Sequence, residues 1–342
     1  MPQPETNPKP ETRHADEYAH LTDRAAINPK PAERPPVIRT VLGDISPDQL
    51  GICYPHEHLF GKPPAALSEP DFELTDRDAA IAEMRMFRKA GGSAVVDMST
   101  MDYHRDIEGL IEVAEQSGVF VISTTGFNKD KFSKPHIDRM SDEEMHALLL
   151  SDVKEGIDQT AGRAGVLKAS SSLNEISDSA RRVFNVVAAV HAETGVPVST
   201  HTEIGTMALE QVELLASNNV DPSSIIIGHL DRRLEKDFIL EVAKTGVFLG
   251  FDQISKEKYF ADRSRIEMIL TLIEAGHESQ ILLSGDLARR SYWPSYGNYG
   301  GPGFTYILWR FIPWLREAGV DVMTINKLLV QNPSRALSFV PR

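Results

Sequence analysis

Residues 164–203 read "AGVLKASSSLNEISDSARRVFNVVAAVHAETGVPVSTHTE". A short run of small and branched residues opens the stretch, and a second run, "VPVSTHTE", closes it. Between them Ile176, Ala180, Val183, Val187 and Val190 fall on one stripe at helical spacing. Gly195 and then Pro197 stop that helix, glycine suiting the left-handed position just past a helix end. Strand, amphipathic helix, strand is the unit that lays two parallel strands side by side with a crossover between them.

The same rhythm extends in both directions. Eight β-rich runs occur in order: "LGICYPHEH", "SAVVDMST", "VFVISTTGF", "AGVLKAS", "VPVSTHTE", "IIIGHLD", "VFLGFDQIS" and "ILLSGDL". The segments "DFILEVAKTG" and "RIEMILTLIEAG" repeat the helical pattern, each closing on a glycine. Eight strands alternating with helices predict an α/β chain folded as a (β/α)8 TIM barrel, with residues 37–342 as its domain. A doubly wound open sheet is the competing architecture, but no phosphate-binding glycine fingerprint follows the first run. Ahead of that run, "VIRTVLGDISPDQLG" predicts a short β-hairpin bent at Gly43-Asp44. Beyond the eighth, "SYGNYGGPG" predicts a long loop at the barrel mouth. Residues 1–36 carry eight prolines among polar and charged residues. Such a segment buries too little apolar surface to offset its ordering entropy, which predicts an arm outside the domain.

Composition narrows the class of protein. The chain has 342 residues, 41% hydrophobic and 25% charged, with a net charge of −13. That acidity argues against a nucleic-acid or anionic-membrane partner. No apolar run approaches the roughly 20 residues needed to span a bilayer, and no apolar leader core opens the chain. The single cysteine, Cys53, permits no internal disulfide and reads as core packing. A cytoplasmic location and a small-molecule substrate are the expectations that follow.

The polar residues inside the runs carry the chemistry. In "CYPHEHLF", residues 53–60, His56 and His58 are two apart and so point the same way from a strand. Alone, the pair is equally well two hydrogen-bonded histidines. Lys168, His201, His229 and Asp286, however, end the fourth, fifth, sixth and eighth runs after apolar or small residues. All six groups thus belong to the C-terminal rim, where barrel enzymes gather catalytic groups. Lys168 is the informative member, because a buried ammonium tends to lose its proton or gain a partner. A neutral amine there has two chemistries: a carbamate bridging two metals, or a Schiff base as in an aldolase. The aldolase leaves four histidines without a task, and a non-catalytic binding barrel leaves all six groups without one.

The ordered set HxH, Lys, His, His, Asp resembles the phosphotriesterase family of the amidohydrolase superfamily. The matching phrases are "HEHL", "VLKAS", "GVPVSTHTE", "IIIGHLD" and "SGD", and the resemblance runs from about residue 38 to "NPSRALSF". It implies two divalent metal ions. His56, His58 and Asp286 would hold the more buried one, and His201 and His229 the more exposed one. Lys168, as N6-carboxylysine, would bridge them. Zinc suits this nitrogen and oxygen set, and manganese or cobalt fits too. A hydroxide shared by the two cations would attack the substrate, with Asp286 as catalytic proton carrier. A homodimer is the family's habit.

The loops after the last runs narrow the substrate. "GFDQISKEKYF" and "SGDLARRSYW" depart from the family's acyl-homoserine lactonases, which carry an "LDRYG"-like segment and a histidine beside the last aspartate. Instead Lys258, Arg289 and Tyr292 resemble the phosphate-binding set of its phosphorylated sugar lactonases. The plainer account of these cations is pairing with some of the 49 acids. Lys256, Arg290 and Asp231-Arg232-Arg233 are weaker additions to such a clamp. In "MDYHRD", residues 101–106, Arg105 and Asp106 read as structural and His104 as a surface residue. The expectation is a metal-dependent hydrolase opening a phosphorylated sugar lactone, a small anionic substrate. Another ester, an amide or a phosphotriester on the same scaffold is the alternative.

Overall fold

A computed structural model describes residues 34–297 and 299–342. The arm predicted over residues 1–36 lies almost wholly outside the described residues. A hairpin of β1 (Ile38–Thr40) and β2 (Gly43–Ile45) comes first, bent where "GD" predicts. Eight strands follow: β3 (Cys53–Glu57), β4 (Ala94–Asp97), β5 (Phe120–Gly126), β6 (Ala164–Ser170), β7 (Val198–His201), β8 (Ile225–Gly228), β9 (Phe248–Phe251) and β10 (Ile281–Leu283). Each lies within one of the eight runs. They pair in chain order, and every pairing is parallel.

The last strand returns to the first through a different kind of bond. His56 N–H donates to Ser284 Oγ at 3.0 Å, and Asp286 N–H donates to His56 O at 3.2 Å. The Glu57 carboxylate accepts Gly285 N–H at 2.7 Å and Leu287 N–H at 2.9 Å. The carboxylate between the two histidines therefore latches the barrel shut. Burial raises its pKa to about 8, against the two backbone N–H groups that lower it.

The helices are α1 (Arg77–Lys89), α2 (Ile107–Ser117), α3 (Asp130–Ile137), α4 (Asp142–Lys154), α5 (Asp178–Thr194), α6 (Ala208–Ser217), α7 (Lys236–Lys244) and α8 (Asp262–Glu274). Helix α5 shows why they form. Ser177 caps it by accepting Ala180 N–H, and Gly195 ends it at φ 79°. Ala180, Val183, Val187 and Val190 are buried along its stripe, each valine contributing roughly 1.5–3 kcal/mol by leaving water. Two helices, α3 and α4, fill the connection between β5 and β6 where the alternation predicts one. The tail closes with α9 (Ile312–Glu317), α10 (Val322–Asn326) and α11 (Asn332–Leu337).

Inside the ring, Cys53, Val96, Ile122, Val166, Ile226, Phe248 and Leu282 form one apolar cluster. Ile38 from the hairpin and Leu337 from α11 join that cluster. Two register irregularities decide what stands above it. Between Tyr54 and Glu57, β3 carries one residue more than β4, and Pro55 marks the bulge. The extra residue switches the alternation, so that Cys53 and His56 both face inward. Gly165 does the same for β6, setting Val166, Lys168 and Ser170 on the inner face. A Cβ at Gly165 would collide with Arg39 O.

Candidate metal centre

Four histidines meet at the strand ends. The His56 and His229 rings lie 4.7 Å apart, His201 and His229 4.5 Å, and His56 and His58 6.2 Å. His56, His58 and Asp286 each offer a ligand atom within 4.8 Å of the others. Burial holds His56 at a pKa of about 3 and drives His58 and His201 well below the usual imidazole range. These three rings are therefore neutral at pH 7, the form a cation requires.

The His58 and His229 rings are each oriented by a partner behind them. Ser99 Oγ lies 2.7 Å from His58 Nδ1, leaving Nε2 facing Asp286 Oδ1 at 3.5 Å. Asp97 at the end of β4 accepts Leu59 N–H at 2.5 Å and Ser99 N–H at 2.9 Å, which fixes the turn after His58. Asp252, just past β9, lies 2.6 Å from His229 Nδ1 and accepts the His229 N–H at 2.9 Å. Its second oxygen is 3.4 Å from His56 Nδ1, an atom with no hydrogen-bond partner among the described residues. His56, His229 and Asp252 also offer ligand atoms within 4.8 Å of one another, but both Asp252 oxygens already serve His229, so Asp252 acts as the acceptor that orients that imidazole. His229 and Asp286 leave their strands in left-handed backbone, φ 60° and 45°, a conformation uncommon outside turns and sites.

Lys168 is 2% exposed, and its Nζ donates to Met98 O at 2.8 Å. Burial lowers its pKa to about 8, although Asp102, Asp286 and Asp97 act the other way. A measurable fraction is thus the neutral amine. Gly126 at φ 125° permits the approach, because a Cβ there would collide with the Lys168 carbonyl. Neutral imidazoles, a carboxylate and a poised amine on one rim fit a divalent cation site.

The mouth is arranged differently. Lys258 is exposed, its Nζ 5.6 Å from the Tyr292 ring centroid. Arg289 lies 3.8 Å over the Phe72 ring and pairs with Asp71 at 3.1 Å. Arg232 pairs with Glu203 at 3.1 Å, beside His201, and Lys129 pairs with the same carboxylate. Arg233 pairs with Glu235. Asp231 is not at the mouth: it is fully buried, accepts Gln253 N–H at 2.9 Å and pairs with Arg265 at 2.7 Å. Its addition to a clamp is corrected to a support beneath the strand ends. Arg105 pairs with Asp152 and Asp158, and Asp106 caps α2, both structural as expected. Exposed His104 turns to Lys62 O.

Sequence reasoning passed over Asp97, Asp252 and Gln253, and its reading of Lys256 as a weak addition to the clamp is corrected: the buried ammonium pairs with Asp286 at 2.7 Å. The rule that found the histidines, a polar residue ending an apolar run, also marks "VVD" and "GFD".

A closed parallel barrel with such a donor set at its strand ends defines a metal-dependent hydrolase of the barrel type. Residues 36–337 match the model of the Phosphotriesterase family, and the chain belongs to that family. It is 34% identical to a phospho-furanose lactonase of Mycoplasmopsis synoviae over 322 residues, 88% of this chain and 91% of that one. A lactonase structure from Listeria monocytogenes superposes with a TM-score of 0.84 at 34% identity, over 89% of this chain and 99% of that one. The phosphotriesterase homology protein of Escherichia coli, solved with phosphate in its active site, gives 0.82 at 32% identity, over 85% and 99%. Among the described residues no helix is long and apolar enough to cross a membrane.

Proposed function

We propose that the protein is a metal-dependent lactonase that opens a phosphorylated sugar lactone. The convergence of His56, His58, His201, His229 and Asp286 beneath a cationic mouth carries the reading. The lactonase relatives and the phosphate-bound homologue support it. His56, His58 and Asp286 would hold one divalent ion and His201 and His229 a second, with carboxylated Lys168 between them. Zinc is the first candidate. Bound there, two such ions supply a Lewis acid for the ester carbonyl and a water acidic enough to attack at neutral pH.

The side chains do the rest. Asp286 takes the proton of the attacking water as the new C–O bond forms. It then hands that proton to the ring oxygen as the old C–O bond breaks, giving a hydroxy acid. Lys258, Arg289 and Tyr292 bind the phosphate, for which Arg289 exchanges the Asp71 carboxylate for the substrate's anion. Metal analysis of the purified protein, followed by rates on matched phosphorylated and unphosphorylated lactones, tests the proposal. A marked preference for the phosphorylated series is the expected result. Equal rates would discard the clamp, and a metal-free active protein would discard the whole reading.

A further inference from the structure

We propose that Lys256 and Gln253 are positioning residues for Asp286, holding one of its carboxylate oxygens so that the other is left facing His58. Oδ2 accepts Lys256 Nζ at 2.7 Å and Gln253 Nε2 at 2.8 Å. Oδ1 instead faces His58 Nε2 at 3.5 Å. The ammonium also donates to Asp286 O at 2.5 Å and to Gln253 Oε1 at 3.0 Å. Those contacts occupy all three of its N–H bonds. Lys256 therefore has no donor left for a substrate anion, and its side chain is only 5% exposed. This separates it from Lys258, two residues on and exposed.

The arrangement answers a geometric need. A carboxylate turns about a soft terminal torsion and can present either oxygen, or both, to a cation. Two fixed donors on Oδ2 remove that freedom. Gln253 does more than donate to Asp286. Its Nε2 also lies 3.1 Å from Asp252 Oδ1, so one amide ties Asp286 to the carboxylate that orients His229. Lys256 closes the set from above, with the Tyr292 ring centroid 5.5 Å from its Nζ. A group held this way has its proton-carrying oxygen preset, which should act on turnover rather than on substrate affinity.

The inference rests on Asp286 being a ligand and proton carrier, so its test includes that residue. In the full chain, Lys256→Met keeps the stem and removes the ammonium. The readouts are metal content, thermal midpoint, kcat and KM on a phosphorylated sugar lactone. Expected is a roughly 10- to 100-fold fall in kcat, as loss of a charged hydrogen bond gives. KM should stay within about two-fold and metal content at the wild-type value. Gln253→Leu should act in the same direction, and the double variant should lose less than the product of the two, because both hold one oxygen. An unchanged kcat overturns the proposal, as does a loss of metal that accounts for the fall in kcat. If Lys256→Met does not fold, Gln253→Leu decides by the same criteria. Asp286→Asn at wild-type turnover would sink the site reading as well; an inactive Asp286→Asn beside an unaffected Lys256→Met would sink only the positioning role.

Discussion

The floor of the site and its mouth are built on opposite principles. On the floor, polar side chains stand on strand ends, are almost wholly buried, and meet partners fixed by strand register. At the mouth, cations stand on loops, partly or fully exposed, and Arg289 and Arg232 meet acids of other loops. Asp252 and Asp97 are 1% exposed, whereas the side chains of Arg289 and Asp71 are 27% and 34% exposed. Burial makes each floor contact costly to break, since an abandoned charge has no water to turn to. Exposure makes each mouth contact exchangeable. A catalytic group needs the first condition and a clamp that must release its product needs the second.

The largest effect should come from the floor. Lys168→Ala should lower kcat/KM by on the order of 10⁴-fold, as removal of an essential member of a coupled set does. Carbon-13 NMR after equilibration with labelled bicarbonate should show a carbamate signal in the wild type and none in the variant. A wild-type spectrum without that signal would break the bridging role of Lys168 while leaving the histidines in place. The next effect reads stability instead of activity. Arg265 is fully buried between Asp231, 2.7 Å away, and Asp262, 3.0 Å away. Asp231 in turn accepts the backbone N–H of Gln253. Arg265→Leu leaves two buried carboxylates without their cation and should cost about 3–5 kcal/mol, measured by urea unfolding. A loss within the range of surface substitutions would mean that the floor is no stiffer than the mouth.

A smaller and more selective effect is expected at Arg289. Its change to alanine should raise KM roughly 10-fold for phosphorylated lactones, the size of one charge-assisted hydrogen bond. Unphosphorylated lactones should be nearly unaffected. A uniform change across both series would mean that Arg289 holds the loop and not the substrate.

The contrast also explains how far the sequence could be read. Short β-rich runs and the glycine stops of the helical stretches between them locate all eight strands, because burial on both faces enforces apolar and small residues along the whole run. His201, His229 and Asp286 are legible for the same reason. The bulges at Pro55 and Gly165 are less so, since each is one extra residue whose effect on facing depends on the neighbouring strand. Asp97 and Asp252 obey the rule that found the ligands, but nothing in a single chain distinguishes an acid that binds a cation from one that orients an imidazole. At the mouth, Arg289 meets Asp71, 218 positions away, and Lys256 meets Asp286, 30 away. No local period links such partners. For that reason Lys258 and Lys256 look alike in "SKEKYF", yet only one of them is buried.

Asp71 offers the finest test of the mouth. It accepts the Ser291 N–H at 2.8 Å and Ser291 Oγ at 2.9 Å, and pairs with Arg289. Burial pushes its pKa upward, but the Ser291 bonds and the guanidinium outweigh that and leave it below the ordinary carboxylate value. A folded-state pKa lowered in this way contributes stability above the unfolded value, near pH 4, and loses it as pH falls through the folded value. Asp71→Asn should therefore cost under about 1 kcal/mol at pH 7, because the group is partly exposed and screened. The difference from wild type should shrink as the pH is lowered below about 4, followed by denaturant midpoints across the acid limb. A pH-independent cost would mean that Asp71 acts through its shape and its Ser291 bonds alone. A cost matching Arg265→Leu would erase the distinction between floor and mouth, and with it the argument that Arg289 is free to exchange one anion for another.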